Sequence, residues 1–369
     1  MRTGPLSDSL GHGDDPVLDL GDAADEFWLN DSMNVGLVVA IGLALAFALT
    51  NGFHDASNAI ATLVATRGAT PARAVVVSAT FNLLGAVFLG TAVADTIGTL
   101  VQVPDDQAVL VIGSGLAGAT TWNLVTWWRG LPSSSGHALV GGLVGAALAD
   151  GGASAVNWGG MNGIHPVGVI GTLVALLVSP PLGFLVGFVL LLAFRRAARR
   201  WTRRWTRPVV GGEWLATAGL SYSHGANDAQ KSMGVIAALL LAGGVTSTFE
   251  VPLWVKLATG LTVTSGTAFG GWRIVRTVGS RIYSLKPLDS LASQSASTAV
   301  IFGASVVGAP VSTTQVVASS VVGMGAGRHR WRHVRWLIVR DMLLAWVMTI
   351  PAAAALAIAI LFVWKGVAP

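Results

Sequence analysis

The chain has 369 residues, 53% of them hydrophobic and only 11% charged, with 46 glycines and a formal net charge of +5. A soluble domain carries about a quarter charged residues, so this balance excludes one. The absence of cysteine excludes disulfides, thiolate metal centres and a cysteine nucleophile.

Residues 1–34 hold one Arg and eight acids, a charge of about −7 that leaves about +12 on the remainder. This stretch is expected to be a solvated, disordered tail. It is polar and acidic, where a secretory signal would be basic and then briefly apolar. From residue 35 onward apolar runs recur, among them Ala74 to Val93, Val167 to Phe194 and Leu337 to Val363. Each is long enough for a bilayer core of about 30 Å, which needs roughly 20 residues. The fold expected is an all-α polytopic membrane protein.

Two polar interruptions appear twice within the apolar stretches. The first pair is Asn51-Gly-Phe-His-Asp-Ala-Ser-Asn58 and Ser223-His-Gly-Ala-Asn-Asp-Ala-Gln-Lys231. The second is Gly130-Leu-Pro-Ser-Ser-Ser-Gly-His137 and Gly308-Ala-Pro-Val-Ser-Thr-Thr-Gln315. Asp55 and Asp228 lie 173 residues apart, Pro132 and Pro310 178. Near-equal offsets in the same order imply a duplication. The division is 35–194 for a first transmembrane repeat, 195–211 for an Arg-rich linker and 212–369 for a second repeat.

Arg67, Arg73, the Arg195–Arg207 cluster, Arg273–Lys286 and Arg328–Arg340 belong on the cytoplasmic side by the positive-inside rule. That reading displaces nucleic-acid binding as the purpose of the basic cluster. With the tail, Asp105–Asp106, residues 150–166 and Glu250 outside, both termini fall outside and each copy makes an odd number of crossings. The second copy is then inverted, the architecture of many secondary transporters, with broken helices and a site at the repeat interface. Re-entrant hairpins are expected at the two Pro-Ser/Thr motifs, although full crossings fit the same count.

Asp55 and Asp228 sit in apolar segments, where a carboxylate costs a few kcal/mol unless it meets a partner, a cavity or a cation. Asn51, Asn58 and Asn227 add amide oxygens. Gly52 and Gly225 are expected to let the helices unwind and turn carbonyls inward, completing a hard-oxygen site for Na⁺ or a titrating proton. The competing role for each Asp is capping a broken helix. Ser133, Ser134, Ser135 and Ser312, Thr313, Thr314 follow a proline and precede a helical run. Helix-start N–H groups, the positive dipole end and hydroxyl donors there suit a tetrahedral oxyanion, and simple N-capping is the plainer alternative. His54, His137 and His224 read as packed hydrogen-bonding residues. Lys231 can pair with Asp228, meet the anion or snorkel away. Trp122, Trp127 and Trp128 read as interfacial residues.

In these motifs, together with Trp-Asn-Leu-Val-Thr-Trp-Trp before Gly130 and Gly-Gly-Trp-Arg-Ile-Val-Arg-Thr-Val-Gly at 270–279, the chain resembles the PiT family of inorganic phosphate transporters. The likeness runs from about residue 35 to the end. It implies a symporter, not an enzyme, with no cofactor and with H⁺ or Na⁺ as coupling ion. Phosphate falls on Ser133–Ser135, Ser312–Thr314, Asn58 and Asn227, and the coupling ion on Asp55, Asp228 and Asn51. Lys231, Gln294, Gln315 and His137 are secondary candidates. Gln315 stands where the family usually has histidine, and Gln294 where many members have glutamate, which leans the expectation toward protons. Free phosphate or a metal–phosphate complex as cargo, and a homodimer as assembly, stay open. Three rivals remain: a permease for sulfate or another oxyanion, a hydrolase using Ser133 or Ser135 with His137 and Asp55, and an anion channel.

Overall fold

Apolar runs long enough to cross a membrane fold here as helices that turn their polar faces inward. The computed structural model describes residues 20–269, 275, 277, 279, 282–329 and 331–367. Residues 1–19 and most of the 270–279 motif lie outside the described set, as do the side chains of residues 20–34. The first half comprises α1 (Leu20–Ala65), α2 (Pro71–Phe88), α3 (Ala92–Gly98), α4 (Asp105–Arg129), α5 (Ser135–Gly151) and α6 (Gly168–Ala197). The second comprises α7 (Thr206–Ala242), α8 (Leu253–Phe269), α9 (Pro287–Val306), α10 (Thr313–Gly327) and α11 (Trp336–Val367). A two-stranded antiparallel ribbon, β1 (Gly160–Asn162) with β2 (His165–Val167), leads into α6. Helix α1 begins at Leu20, so residues 20–34 are helical where the sequence points to disorder. Asp22, Asp25 and Glu26 fall near its N terminus, where the helix dipole favours acids.

Among the described residues, six helical segments satisfy the length and hydropathy of a membrane span: those beginning at Val35, Pro71, Asp105, Ser135, Gly168 and Trp336. Burial has the sense expected in lipid. Leu177, Leu215 and Val347 are 75%, 77% and 67% exposed, whereas Asp55, Asp228, Lys231 and Asn58 are buried. Polar groups without water must find partners inside the protein, and the helices close around them.

Four helix pairings made by the first half have counterparts made by the second. α1 packs on α8 as α7 packs on α2; α5 on α11 as α10 on α6; α4 on α11 as α9 on α6; and α1 on α4 as α7 on α9. α1 and α7 run antiparallel: Trp214 Nε1, early in α7, donates to Gly68 O just past the end of α1 at 3.1 Å. At one end of the bundle a bridge joins Val101 to Val156, and Lys365 pairs with Asp150 at 2.6 Å. At the other, Arg195 Nη1 donates to Gly327 O at 2.6 Å and Arg328 pairs with Asp289.

The two duplicated motifs behave differently. α1 and α7 stay helical through Asn51–Asn58 and Ser223–Lys231, so the unwinding expected at Gly52 and Gly225 does not occur. Those glycines permit close helix approach instead: a Cβ on Gly52 would lie 2.2 Å from Val263 O, and one on Gly225 2.0 Å from Asn82 O. The breaks fall at the Pro-Ser/Thr motifs. There a long helix, α4 of 25 residues or α9 of 20, turns back into a shorter one, α5 of 17 or α10 of 15. Both shorter helices start in the buried interior.

Candidate functional site

The N termini of α5 and α10 converge on the carboxylates of α1 and α7. Asp55 is buried in the Val35–Ala65 span, about 30 Å from its start at 1.5 Å per residue. It accepts a hydrogen bond from Ser135 Oγ at 3.0 Å through Oδ2 and one from Thr314 Oγ1 at 2.5 Å through Oδ1. Ser135 Oγ also lies 2.7 Å from Asn51 Oδ1. Asp228, equally buried, accepts from Thr313 Oγ1 at 3.0 Å, faces His224 Nε2 at 2.9 Å and pairs with Lys231 Nζ. Asp55, Asp228 and His224 each offer an atom within 4.8 Å of the others. Thr313 and Thr314, adjacent at the start of α10, thus touch the carboxylates of both halves.

The flanking amides fasten the breaks to this centre. Asn58 Nδ2 donates to Thr314 Oγ1 at 3.0 Å and to Thr313 Oγ1 at 3.3 Å. Asn227 Nδ2 donates to Ser305 Oγ at 3.0 Å and Ala309 O at 3.2 Å, while its Oδ1 accepts from Val311 N at 3.3 Å. In the first half His54 takes the equivalent position, with Nε2 3.2 Å from Ser133 Oγ.

The six candidate hydroxyls divide by role. Ser134 and Ser312 are N-caps, accepting from His137 N at 3.2 Å and Gln315 N at 3.4 Å, which satisfies donors that a helix start leaves open. Ser133 donates to Thr126 Oγ1 at 2.9 Å. Only Ser135, Thr313 and Thr314 reach the carboxylates. Of the secondary candidates, Lys231 is at the centre. Gln294 is one layer away, donating to Thr62 Oγ1 at 2.7 Å and accepting from Thr217 Oγ1 at 3.0 Å. His137 and Gln315 line a separate cavity of about 710 Å³ whose walls include Leu177, Phe184, Leu343 and Val347. Those walls are too apolar to hold a multiply charged anion.

The hydrolase arrangement does not form. His137 Nδ1 meets Ser134 Oγ at 2.7 Å, not Ser133 or Ser135. Of the tryptophans read as interfacial, Trp122 is tied inward by Nε1 to Thr349 Oγ1 at 3.1 Å, and Trp127 packs edge-on against Phe53.

Three buried polar residues lie outside the sequence-derived site, and two of them, His224 and Asn82, are at or beside the centre. His224 belongs to the carboxylate cluster, and its adjacency to Asp228 by one helical turn was the available signal. Asn82 Oδ1 lies 3.1 Å from His224 Nδ1. Glu213, fully buried, accepts from Thr66 Oγ1 at 2.8 Å. Nothing in the duplicated motifs points to the last two.

A helical, multi-pass membrane protein with two acids, a lysine and two helix N termini at its centre is built as a transporter of charged solutes. Comparison with known proteins specifies the kind. The profile of the phosphate transporter family matches residues 51–211 and 198–357, and the chain belongs to that family. It is 42% identical over 320 residues to a protein of Rhizobium meliloti (strain 1021) named "Probable low-affinity inorganic phosphate transporter", covering 86% of this chain and 93% of the relative. A protein of Bacillus subtilis (strain 168) with the same name is 39% identical over 334 residues, 88% and 96% of the two chains. A solved structure titled "The sodium-dependent phosphate transporter" superposes with a TM-score of 0.79 at 24% identity, covering 90% of this chain and 99% of that one. The last likeness concerns the fold. The named relatives are transporters, and the chain is not an enzyme.

Proposed function

We propose that this protein carries inorganic phosphate across the cell membrane in symport with a cation, and that its halves are inverted repeats meeting at the site. One observation carries the reading: the hydroxyls of Ser135, Thr313 and Thr314, at two helix N termini, all reach Asp55 or Asp228, with Ser135 sharing its proton between Asp55 and Asn51. A hydroxyl has one proton to give, so it can serve a carboxylate or a phosphate oxygen but not both. A cation arriving at Asp55 releases the hydroxyls. A proton turns one carboxylate oxygen into a donor; a metal ion takes the oxygen lone pairs and turns the O–H bonds outward. The freed hydroxyls, with the backbone N–H groups at the helix starts, then hold the anion. Phosphate binding and cation binding assist one another by the same factor.

The proton is the favoured coupling ion. Gln294 supplies an amide already bonded to Thr62 and Thr217, and the Asp55–Asp228 cluster includes a histidine, a ligand type foreign to Na⁺ sites, which prefer oxygen. The basic end with Arg67, Arg195–Arg207 and Arg328 faces the cytoplasm and the Asp105–Asp150 end faces out, which puts the carboxy terminus outside beside Asp150.

Purified protein in liposomes tests this directly. Labelled phosphate should accumulate under an imposed pH gradient, resist equimolar sulfate and ignore a metal chelator. Accumulation that follows a Na⁺ gradient alone would reassign the ion, and equal displacement by sulfate would reassign the cargo. No accumulation under either gradient would refute symport.

A further inference from the structure

The two halves treat their carboxylates differently. Four residues before and three after Asp55 stand Asn51 and Asn58; at the same offsets from Asp228 stand His224 and Lys231. Amides in one half are therefore basic side chains in the other. Asp55 accepts from hydroxyls, with His54 Nδ1 at 3.3 Å. Asp228 is paired with the Lys231 ammonium and faces His224. Lys231 is 1% exposed, and its Nζ also donates to Val311 O at 2.9 Å. That carbonyl belongs to the break before α10, so the ammonium stands between a carboxylate and a main-chain oxygen, where a second coupling cation would find its ligands. A buried ammonium is tolerated only when paired in this way.

We infer that Lys231 is a tethered cation that takes the place of a second coupling ion, leaving Asp55 as the one site that a mobile cation loads. This rests on the symport reading above. A tethered charge travels with the loaded carrier and returns with the empty one, so it neutralises Asp228 without contributing to net transport. One coupling cation then accompanies each phosphate. His224 holds Asp228 from its other side, between that carboxylate and Asn82 Oδ1, and carries no exchanged ion.

The test is thermodynamic. Full-length protein in liposomes is brought to equilibrium with labelled phosphate at one fixed external pH, across a series of potassium diffusion potentials and of coupling-cation gradients set from the lumen. In the wild type a tenfold cation gradient should sustain about a tenfold phosphate ratio; about a hundredfold would mean two mobile cations and would overturn the inference. Lys231→Asn gives the second half the residue of the first and should bind one further cation. Its phosphate ratio should gain about an extra tenfold for each 59 mV, inside negative, relative to wild type. Lys231→Arg, which keeps the charge, should retain the wild-type slope. An Asn variant that transports with an unchanged slope would sink the idea. Should that variant fail to fold, the wild-type stoichiometry decides alone. A wild type that accumulates no phosphate under any gradient would instead remove the symport reading on which this inference stands.

Discussion

Asp55→Asn isolates the proposed switch because it changes charge without changing shape. The carboxylate accepts two hydroxyl hydrogen bonds, from Ser135 and Thr314, in a buried setting. Bonds to a charged group contribute about 1.5–3 kcal/mol each against about 0.5–1.5 for neutral ones, so the amide holds the two hydroxyls less firmly by about 2–3 kcal/mol in total. That difference is what a cation at Asp55 must supply before the hydroxyls can turn to phosphate. In the wild type, saturating cation should raise phosphate affinity by about 30- to 150-fold, the range of such coupling energies. In the variant the factor should fall to about one, and concentrative uptake should vanish while phosphate binding persists. Phosphate titrations of purified protein with the cation absent and saturating give both factors, and reconstituted uptake gives the transport arm. A variant whose phosphate affinity still responds to the cation by tenfold or more would refute the switch.

Ser135→Ala and Thr313→Ala should each weaken phosphate binding about tenfold or more. Ser134→Ala and Ser312→Ala, which remove N-caps, should instead lower thermal stability by about 1 kcal/mol with smaller effects on binding; the reverse ranking in titration and melting would contradict the division of roles. Gly225→Ala forces a Cβ into Asn82 O, so melting in detergent should show a loss of about 1–3 kcal/mol, whereas a site that unwinds at this glycine would accept alanine. Gln294→Glu adds an acid between Thr62 and Thr217 and should make phosphate uptake respond to a Na⁺ gradient, measured at constant pH.

The class of protein was legible from composition, and the central residues from duplication. Asp55, Asp228 and the Ser/Thr pairs stood out because polar residues recur there in runs otherwise apolar, and the structure brings Ser135, Thr313 and Thr314 onto those acids. What the motifs concealed was local. A glycine beside a charged residue reads as a break, yet Gly52 and Gly225 serve helix approach, because the atoms that forbid a side chain, Val263 O and Asn82 O, come from helices distant in sequence. Likewise three consecutive hydroxyls read as equivalent, but helix geometry turns Ser134 and Ser312 back onto their own N–H groups. Asn82 and Glu213 carried no signal because each is a single polar residue in an ordinary helix, made notable only by partners from the other half.

On the proposed reading of two repeats, the halves can diverge without losing the site. Both carboxylates accept from the residue that opens the opposing helix, Ser135 for Asp55 and Thr313 for Asp228, each at 3.0 Å. Thr314 then crosses the symmetry by donating to Asp55 from the second half, and Asn58 holds Thr314 from the first. Because of that crossing, a change of charge at Asp55 is felt at the start of α10, and any movement of α10 is felt at Asp55. The position equivalent to Thr314 in the first half is Gly136, which has no hydroxyl to give. Asp228 therefore lacks a reciprocal donor from α5 and relies on Lys231 and His224 instead. Loss of the crossing donor and gain of the basic pair are two sides of one asymmetry: the first half keeps an acid that responds to a mobile ion, and the second fixes its acid in place.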